Sequence, residues 1–182
     1  MRNVHLSAHP LMIAPLSLSN VLTVVVALLC LWTMSPQARG GVVRIWRLAI
    51  PGCFAAVQAL VLLAGVFDAT ITHDAEWLAA LIVGSVVGRM RGWAMHVDVD
   101  QMWGLVRLPR TIDGRIAAFA LVALSAIDFT SAALDDPVIE PQHVAAAAAL
   151  CAGYIGCRAL SLIVRSVRAP HVELHSTTPD RA

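Results

Sequence analysis

Long uncharged apolar runs, separated by short polar segments, recur five times along the chain. The hydrocarbon core of a bilayer, about 30 Å thick, takes roughly 20 residues of helix, and backbone polar groups inside it must be hydrogen bonded within the protein. The pattern therefore predicts five membrane-spanning helices, at about residues 16–34, 48–67, 75–93, 116–134 and 143–164.

The third and the first of these spans each leave an alternative open. The uncharged run of the third, Trp77 to Gly88, is followed directly by Arg89. It crosses the core if the side chains of Arg89 and Arg91 reach the headgroups, which extends the helix to about Trp93. The first span can also be read as a cleaved signal peptide, but it is long for one, and the residues after Met34 offer no small-x-small cleavage site.

Composition supports an all-α polytopic membrane protein with one transmembrane domain over residues 1–168. The chain is 58% hydrophobic and 14% charged, with a mean hydropathy of +0.74, whereas soluble domains carry about 25% charged residues. This excludes a soluble globular protein, and the net charge of +1 argues against a nucleic-acid binder. Residues 169–182 are polar with two prolines, which predicts a disordered cytoplasmic tail.

The charges between the spans are strongly asymmetric, and they predict the orientation. Segments 68–76 and 135–142 hold six acidic residues and no arginine. Cytoplasmic loops carry the positive excess, so we expect a multi-pass protein of the bacterial inner membrane with its N-terminus outside and its C-terminus in the cytoplasm. The arginines placed on the cytoplasmic side are Arg39, Arg44, Arg47, Arg89, Arg91, Arg107, Arg110, Arg115, Arg165, Arg168 and Arg181.

The sizeable extramembrane segment is 94–110, between the third and fourth spans. His96, Asp98 and Asp100 alternate with valines, and residues 105–108 supply a second apolar run after Gly104, which predicts a short cytoplasmic β-hairpin. We expect the surrounding arginines to contact anionic headgroups, with docking of a cytoplasmic partner as the alternative. These arginines are Arg89, Arg91, Arg107, Arg110 and Arg115.

Three polar residues inside the spans are candidates for function, because such groups are costly in a bilayer. Asp128 and Arg158 lie about 12 Å apart along the membrane normal when 1.5 Å is counted per residue, which is too far for a direct salt bridge. In the structural interpretation Arg158 reaches the inner surface, Asp128 faces the outer water or caps a neighbouring helix, and Gln58 hydrogen bonds a neighbouring helix. The functional alternative is a path for an ion or small solute lined by Gln58, Asp128 and Arg158.

Cysteine and histidine raise a redox or metal interpretation, against which their placement argues. Cys30, Cys53 and Cys157 fall in the cytoplasmic halves of their spans and Cys151 nearer the outer side, without C-x-x-C spacing. Buried thiols of this kind pack as small hydrophobic groups. The pairs His5/His9 and His171/His175 have helical ligand spacing but lie in terminal segments, and His73, Asp74 and His143 form an outer group that would bind a cation weakly. The sequence predicts no cofactor, metal or catalytic residues.

Small residues recur every four positions on two spans. Ridges of this type let helix backbones approach closely, and they predict helix contacts within one protomer or, alternatively, between protomers. The candidate packing residues are Ala80, Gly84 and Gly88 on the third span and Ala149 and Gly153 on the fifth.

Several short motifs carry a family resemblance: Gly88-Arg-Met-Arg-Gly-Trp93, then Gly104-Leu-Val-Arg-Leu-Pro-Arg110, with Arg47-Leu-Ala-Ile-Pro51 and Gly153-x-x-Gly156-x-Arg158. The chain resembles a family of small five-helix bacterial inner-membrane proteins of uncharacterised activity, distantly similar to the CcdC-type proteins whose name links them to cytochrome c biogenesis. Where the family more often has Gly after the proline, this chain has Arg110. The resemblance implies a fold and a compartment and no established activity.

The expected function is that of a non-enzymatic accessory or interaction component of the inner membrane. The expected partners are the bilayer and its anionic headgroups, with a homo-oligomer or a second membrane protein as further options and no nucleic acid. Two alternatives stay open: permeation of an ion or small solute, and assistance in redox or haem handling through Cys30, Cys53 and Cys157.

Overall fold

The computed structural model describes residues 18–65, 71–134, 139–172 and 174. Over these residues the chain forms five α-helices, a short 3-10 helix at Ile45–Leu48 and a small sheet. The helices are α1 (Leu18–Ala38), α2 (Ala49–Ala64), α3 (Ile71–Ala94), α4 (Asp113–Leu134) and α5 (Pro141–Arg168). The strands are β1 (Gly41–Arg44), β2 (Asp98–Asp100) and β3 (Leu105–Leu108).

Four of the described helical stretches are long and apolar enough to cross a membrane: Leu18–Ala38, Ile45–Ala64, Asp113–Leu134 and Pro141–Arg168. This confirms the predicted class, a mostly helical protein with membrane-spanning capacity. Helix α3 has 24 residues but is not among the four, because acidic residues at its start and arginines near its end shorten its apolar stretch.

Helix α5 lies at the centre of the bundle and packs against α2, α3 and α4, while α1 packs against α2 and α4. The core between these helices consists largely of alanines with a few large side chains, among them Met34, Leu121 and Ile155, which are almost fully buried. Alanine side chains occupy little volume, so the helix axes come close together. The few large side chains fill the space that remains.

Helices α3 and α5 meet along a seam, where they approach so closely that several positions have room only for glycine. A Cβ at Gly84 or Gly88 would stand 2.8 Å from the backbone carbonyl carbon of Leu150 or Tyr154, and one at Gly92 would stand 2.7 Å from the Cβ of Ser161. From the other side, a Cβ on Gly153 would reach 2.9 Å from the backbone nitrogen of Ser85. The two helices are therefore in close contact over about two turns of α3, from Gly84 to Gly92.

The predicted packing residues fall as follows. Gly84, Gly88 and Gly153 lie in the seam between α3 and α5, with Ala149 buried on α5 and Ala80 half-buried on α3. The ridge on α3 extends one turn further than predicted, to Gly92.

The sheet is antiparallel, with strand order β1-β3-β2. Val106 of β3 is opposite Val43 on one side and Val99 on the other. The buried side chains Val99, Val106 and Leu108 pack together with Leu48, Met95 and Leu162, so the sheet rests on one end of the helices. The sequence predicts two strands here, and β1 is the addition, since its four residues, Gly41–Arg44, carry too short an apolar pattern to be recognised alone.

The beginning of the segment predicted as a disordered tail, residues 169–172 and 174, lies along the edge of β2 in the structure. Val172 donates its backbone N–H to the carbonyl of Val99 at 2.9 Å, and the Gln101 side chain donates to the carbonyl of Ala169 at 2.8 Å. Leu174 is buried. The physical reason is that β2 is an edge strand, and an edge has unpaired backbone groups that an extended segment can bind. Residues 173 and 175–182 lie outside the described residues.

Candidate functional site

Arginine is confined to one end of the described molecule, which we call the basic end. Eleven of the 13 basic residues lie there, and the other two, Arg2 and Arg181, fall outside the described residues. The end is built where α1, α3 and α5 finish, where α2 and α4 begin, and where the sheet packs. Nine of these arginines are exposed: Arg39, Arg44, Arg47, Arg89, Arg91, Arg107, Arg110, Arg115 and Arg168.

The other two arginines, Arg158 and Arg165, face the protein. The side chain of Arg158 is 3% exposed, and its Nε lies 3.5 Å from Oδ2 of Asp113, the first residue of α4. Its Nη2 donates to the hydroxyl of Thr111 at 3.1 Å. A buried guanidinium thus has a carboxylate and a hydroxyl beside it, which is how proteins tolerate a buried charge.

Asp113, the first residue of α4, binds groups from two other helices. The same Oδ2 accepts the Tyr154 hydroxyl of α5 at 2.7 Å and Nε of Arg91 of α3 at 3.0 Å. One carboxylate oxygen therefore joins the start of α4 to α3 and α5. Gly114 makes room for this arrangement, because a Cβ there would stand 3.0 Å from Nη1 of Arg158.

The hydrogen bonding in this ion cluster is incomplete. Oδ1 of Asp113 and Nε of Arg158 are buried and have no hydrogen-bond partner among the described residues. With two guanidinium groups and one carboxylate, the cluster carries a formal excess of one positive charge. Its role in the fold is to join the start of α4 to the last turns of α3 and to the middle of α5.

Arg165 caps the end of α3. Its Nη1 donates to the backbone carbonyls of Gly92, Trp93 and Met95. The first two are among the carbonyls that a helix leaves without intrahelical partners at its C-terminus, and Met95 directly follows the helix. The guanidinium also lies 5.9 Å from the centre of the Trp93 ring. This contact fixes the end of α3 against α5 where the chain turns toward β2.

Asp100 fixes the turn between β2 and β3 and the segment that follows α5. Its carboxylate accepts the backbone N–H of Trp103 at 3.3 Å and that of Leu174 at 3.4 Å, and lies 3.8 Å from Nδ1 of His171. The turn itself exposes large apolar side chains, since Met102 is 82% and Trp103 61% exposed.

The five arginines predicted to contact headgroups all lie exposed at the basic end: Arg89, Arg91, Arg107, Arg110 and Arg115. They are not all alike, because Arg91 is also bound to Asp113. Arg107 lies on β3 opposite Asp98 of β2. The sheet and the surrounding helix ends therefore present several guanidinium groups on one surface.

The three polar residues predicted within the spans are not gathered into one described site. Gln58 is fully buried, and its amide donates to Ser125 Oγ at 2.6 Å and to the Leu121 carbonyl at 3.0 Å, which links α2 to α4. Arg158 belongs to the ion cluster. Asp128 is half-buried on α4, with no ion pair or hydrogen bond to either of the others in the part of the chain that the structure describes.

The cysteines are dispersed. Cys30 is buried and lies 3.4 Å from the carbonyl oxygen of Pro51, while Cys53 is exposed and Cys157 half-buried. Within the described ranges, no three His, Cys, Asp or Glu side chains come together as metal ligands would. His5, His9 and His175 lie outside those ranges, and His171 lies beside β2.

At the end of the bundle opposite the basic end, acidic residues and histidine meet. Nδ1 of His143 lies 2.9 Å from the Glu76 carboxylate, and its Nε2 lies 3.5 Å from that of Glu140. The predicted outer group of His73, Asp74 and His143 thus has a different composition in the structure, where His143 pairs with Glu76 of α3 and Glu140 rather than with Asp74.

Asp113 and Tyr154 were not singled out from the sequence, and Arg165 and Asp100 were placed there only as a cytoplasmic arginine and as a hairpin residue. Asp113 and Arg165 lie just outside predicted spans, where a charge is ordinary, whereas Tyr154 lies within the fifth predicted span. The available signal was the Tyr154–Arg158 spacing of four, which places a hydroxyl and a guanidinium on the same face of an otherwise apolar helix.

Comparison of the chain with protein-family models, with curated proteins and with solved structures found no significant match.

Proposed function

We propose that the chain is a five-span inner-membrane protein whose basic end binds the anionic surface of the membrane, and that it acts there as a non-enzymatic accessory or interaction component. The observation that carries the proposal is the placement of every described arginine at one end of the helices. Each basic residue held close to an anionic bilayer surface contributes about 1 kcal/mol of attraction.

The burial pattern of α3 supports its role as a membrane span, in addition to the four stretches that are long and apolar enough. Its buried residues are Gly84, Gly88 and Gly92, all on the face toward α5. Away from this face the helix carries exposed aliphatic side chains over several turns, with Ile82, Val83 and Val86 each more than half exposed. A surface of this kind is typical of contact with lipid, where an apolar side chain has no reason to be covered by protein.

The charge asymmetry supports the orientation. With five spans, all arginines of the basic end lie on the cytoplasmic side, as the positive excess of cytoplasmic loops requires. Glu76, Glu140 and His143 then lie at the outer surface. The five spans and the inner-membrane location, though not the orientation, are also what the family resemblance implies.

Exposed tryptophans support a position of the basic end at the level of the lipid headgroups. Trp46, Trp93 and Trp103 are 57%, 48% and 61% exposed there, and the guanidinium of Arg47 lies 5.5 Å from the ring of Trp46. Tryptophan is enriched where a membrane protein meets the headgroups. We infer that the sheet lies at the headgroup level, with Met102 and Trp103 at the tip of its hairpin.

The proposal is tested by lipid selectivity in reconstituted bilayers. Spin-labelled phosphatidylglycerol and phosphatidylcholine with the same acyl chains are compared for the motionally restricted fraction at the protein surface. We expect a preference for phosphatidylglycerol that falls as salt is added, because exposed charges are screened, and that falls strongly in R107Q/R110Q.

The matched control is Asp74→Asn at the opposite end, which should keep the preference because it leaves the basic end unchanged. Equal restriction of the two lipids by the unmodified chain, or an unchanged preference in R107Q/R110Q, would overturn the proposal.

A further inference from the structure

Two adjoining grooves run along the exposed side of the seam between α3 and α5, and they share Trp93. The first, of about 230 Å³, is lined by Arg89, Leu160 and Val164 among others, and we call it the apolar groove. The second, of about 380 Å³, is lined by Arg165 and Arg168 and lies next to β2; we call it the basic groove. The volume of the basic groove is within the range of small-molecule sites, about 300–1,000 Å³, and the apolar groove continues it.

The surface of the grooves changes from apolar to cationic along α5. Leu160, Val164 and Arg168 lie four residues apart on one face of α5, so the lining changes from apolar to cationic within two turns, about 12 Å. Leu160 is 58% and Val164 36% exposed. On α3, Arg89 and Trp93 repeat the spacing of four. The seam thus offers an apolar track that leads to positive charge.

The positive charge in the grooves is not neutralised by the protein. Arg89 and Arg168 are exposed, and within the described ranges neither has a carboxylate partner. Asp98 lines the basic groove, but His96 lies 3.4 Å from its carboxylate. Arg89, Arg165 and Arg168 against Asp98 leave a formal excess of two positive charges, which favours an anion.

We propose that these grooves bind one anionic phospholipid. An acyl chain lies in the apolar groove against Leu160 and Val164, and the phosphate lies beside Trp93, between the guanidinium groups of Arg89 and Arg168. Arginine suits this role because its guanidinium binds phosphate in a bidentate manner. The inference rests on the proposed function, since it requires the basic end to lie at a bilayer surface.

The arrangement selects a lipid over a soluble anion because half of the site is an exposed apolar track. The seam itself is preformed, since Gly92 holds α3 against Ser161 and Arg165 caps the end of α3. Binding therefore requires ordering of the Arg89 and Arg168 side chains and no movement of the helices. Arg165 is engaged with three backbone carbonyls, so it contributes its charge and the other two arginines contribute the contacts.

The test is native mass spectrometry of the full chain in mild detergent, with phosphatidylglycerol or phosphatidylcholine of identical acyl chains added. We expect one phosphatidylglycerol adduct per chain at an occupancy at least fivefold above that of phosphatidylcholine. The double substitution R89Q/R168Q should remove this selectivity. Leu160→Trp, which fills the apolar groove from an exposed position, should lower the occupancy of the adduct at least fivefold while keeping the fold.

The matched control is R39Q/R44Q, which removes two exposed arginines elsewhere at the basic end. Arg44 lies on β1, the sheet edge remote from β2, so the single adduct should persist. Adducts of both lipids at equal occupancy, or an R89Q/R168Q chain that keeps the selective adduct, would overturn the groove proposal alone. The spin-label comparison tests the wider surface through Arg107 and Arg110 and can fail or succeed independently.

Discussion

Arg158 is a charged residue in an apolar span, so its guanidinium needs a polar partner within the protein. A charge in an apolar span is costly unless it is paired with another polar group. In the structure Arg158 lies beside Asp113 and Thr111. Depth along its own helix could be counted from the sequence, which excluded Asp128 as a direct partner. The helix packed next to it could not be deduced, because residue spacing gives position along one helix and contains no information on its neighbours.

Asp113 is the residue whose loss should destabilise the ion cluster most. Replacing it with Asn leaves the Arg158 charge buried without a counterion, and breaking a buried pair in this way costs about 3–5 kcal/mol. Since the Asp113 side chain is 22% exposed, we expect a loss near the lower limit, about 3 kcal/mol. The measurement is the free energy of unfolding in mixed micelles, followed by tryptophan fluorescence during titration with sodium dodecyl sulfate.

Two further variants separate charge burial from simple loss of a contact. Arg91→Gln removes a partner that is 47% exposed, and an exposed ion pair contributes at most about 1 kcal/mol. D113N/R158Q removes both buried charges, so it should be less destabilised than D113N. Equal losses for D113N and R91Q would show that Asp113 does not compensate a buried charge.

At the scale of elements, the glycine ridge of α3 was predictable and its partner was not. A spacing of four in Gly84 and Gly88 indicates a close helix contact whatever the neighbour, because it depends on one helix alone. Gly92 was missed, since the predicted span ends next to it at Trp93. The tail along β2 was missed for a different reason: an edge strand binds a segment through backbone groups, which leave little trace in the sequence.

The seam between α3 and α5 yields a prediction with a control inside the same pair of helices. Gly88→Ala places a Cβ against the Tyr154 backbone, where neither atom can rotate away, so the helices must separate. Overpacking of this type costs about 1–3 kcal/mol. A Cβ on Gly156 of α5 meets no described atom within 4 Å, and Ala favours the helix, so Gly156→Ala should leave stability unchanged or slightly raised.

Thermal unfolding in detergent, monitored by tryptophan fluorescence, measures both variants under one condition. We expect a lowered midpoint for G88A and an unchanged or raised midpoint for G156A. The same midpoint for the two would mean that α3 and α5 do not approach at Gly88 as the structure describes.

At the scale of the whole molecule, hydropathy and strand pairing lead to different conclusions about α3. By length and composition four stretches can span a membrane, and α3 is outside that set. If α3 did not cross, Arg44 and Arg107 would lie on opposite sides of the bilayer, although β1 and β3, which carry them, are hydrogen bonded in one sheet. The pairing of β1 with β3 therefore requires an even number of crossings between them, which α2 and α3 together supply.

This argument gives a topology that reporter fusions can measure. A reporter active only outside the cytoplasm is fused after residue 68, 104 or 136, and a second reporter, active only in the cytoplasm, after the same residues. With five spans, fusions at 68 and 136 should be active outside and the fusion at 104 inside. A four-span protein in which α3 stays on one surface would instead give the same result at 68 and 104. Agreement between these two sites would overturn the five-span topology, and with it the placement of all described arginines on one side of the membrane.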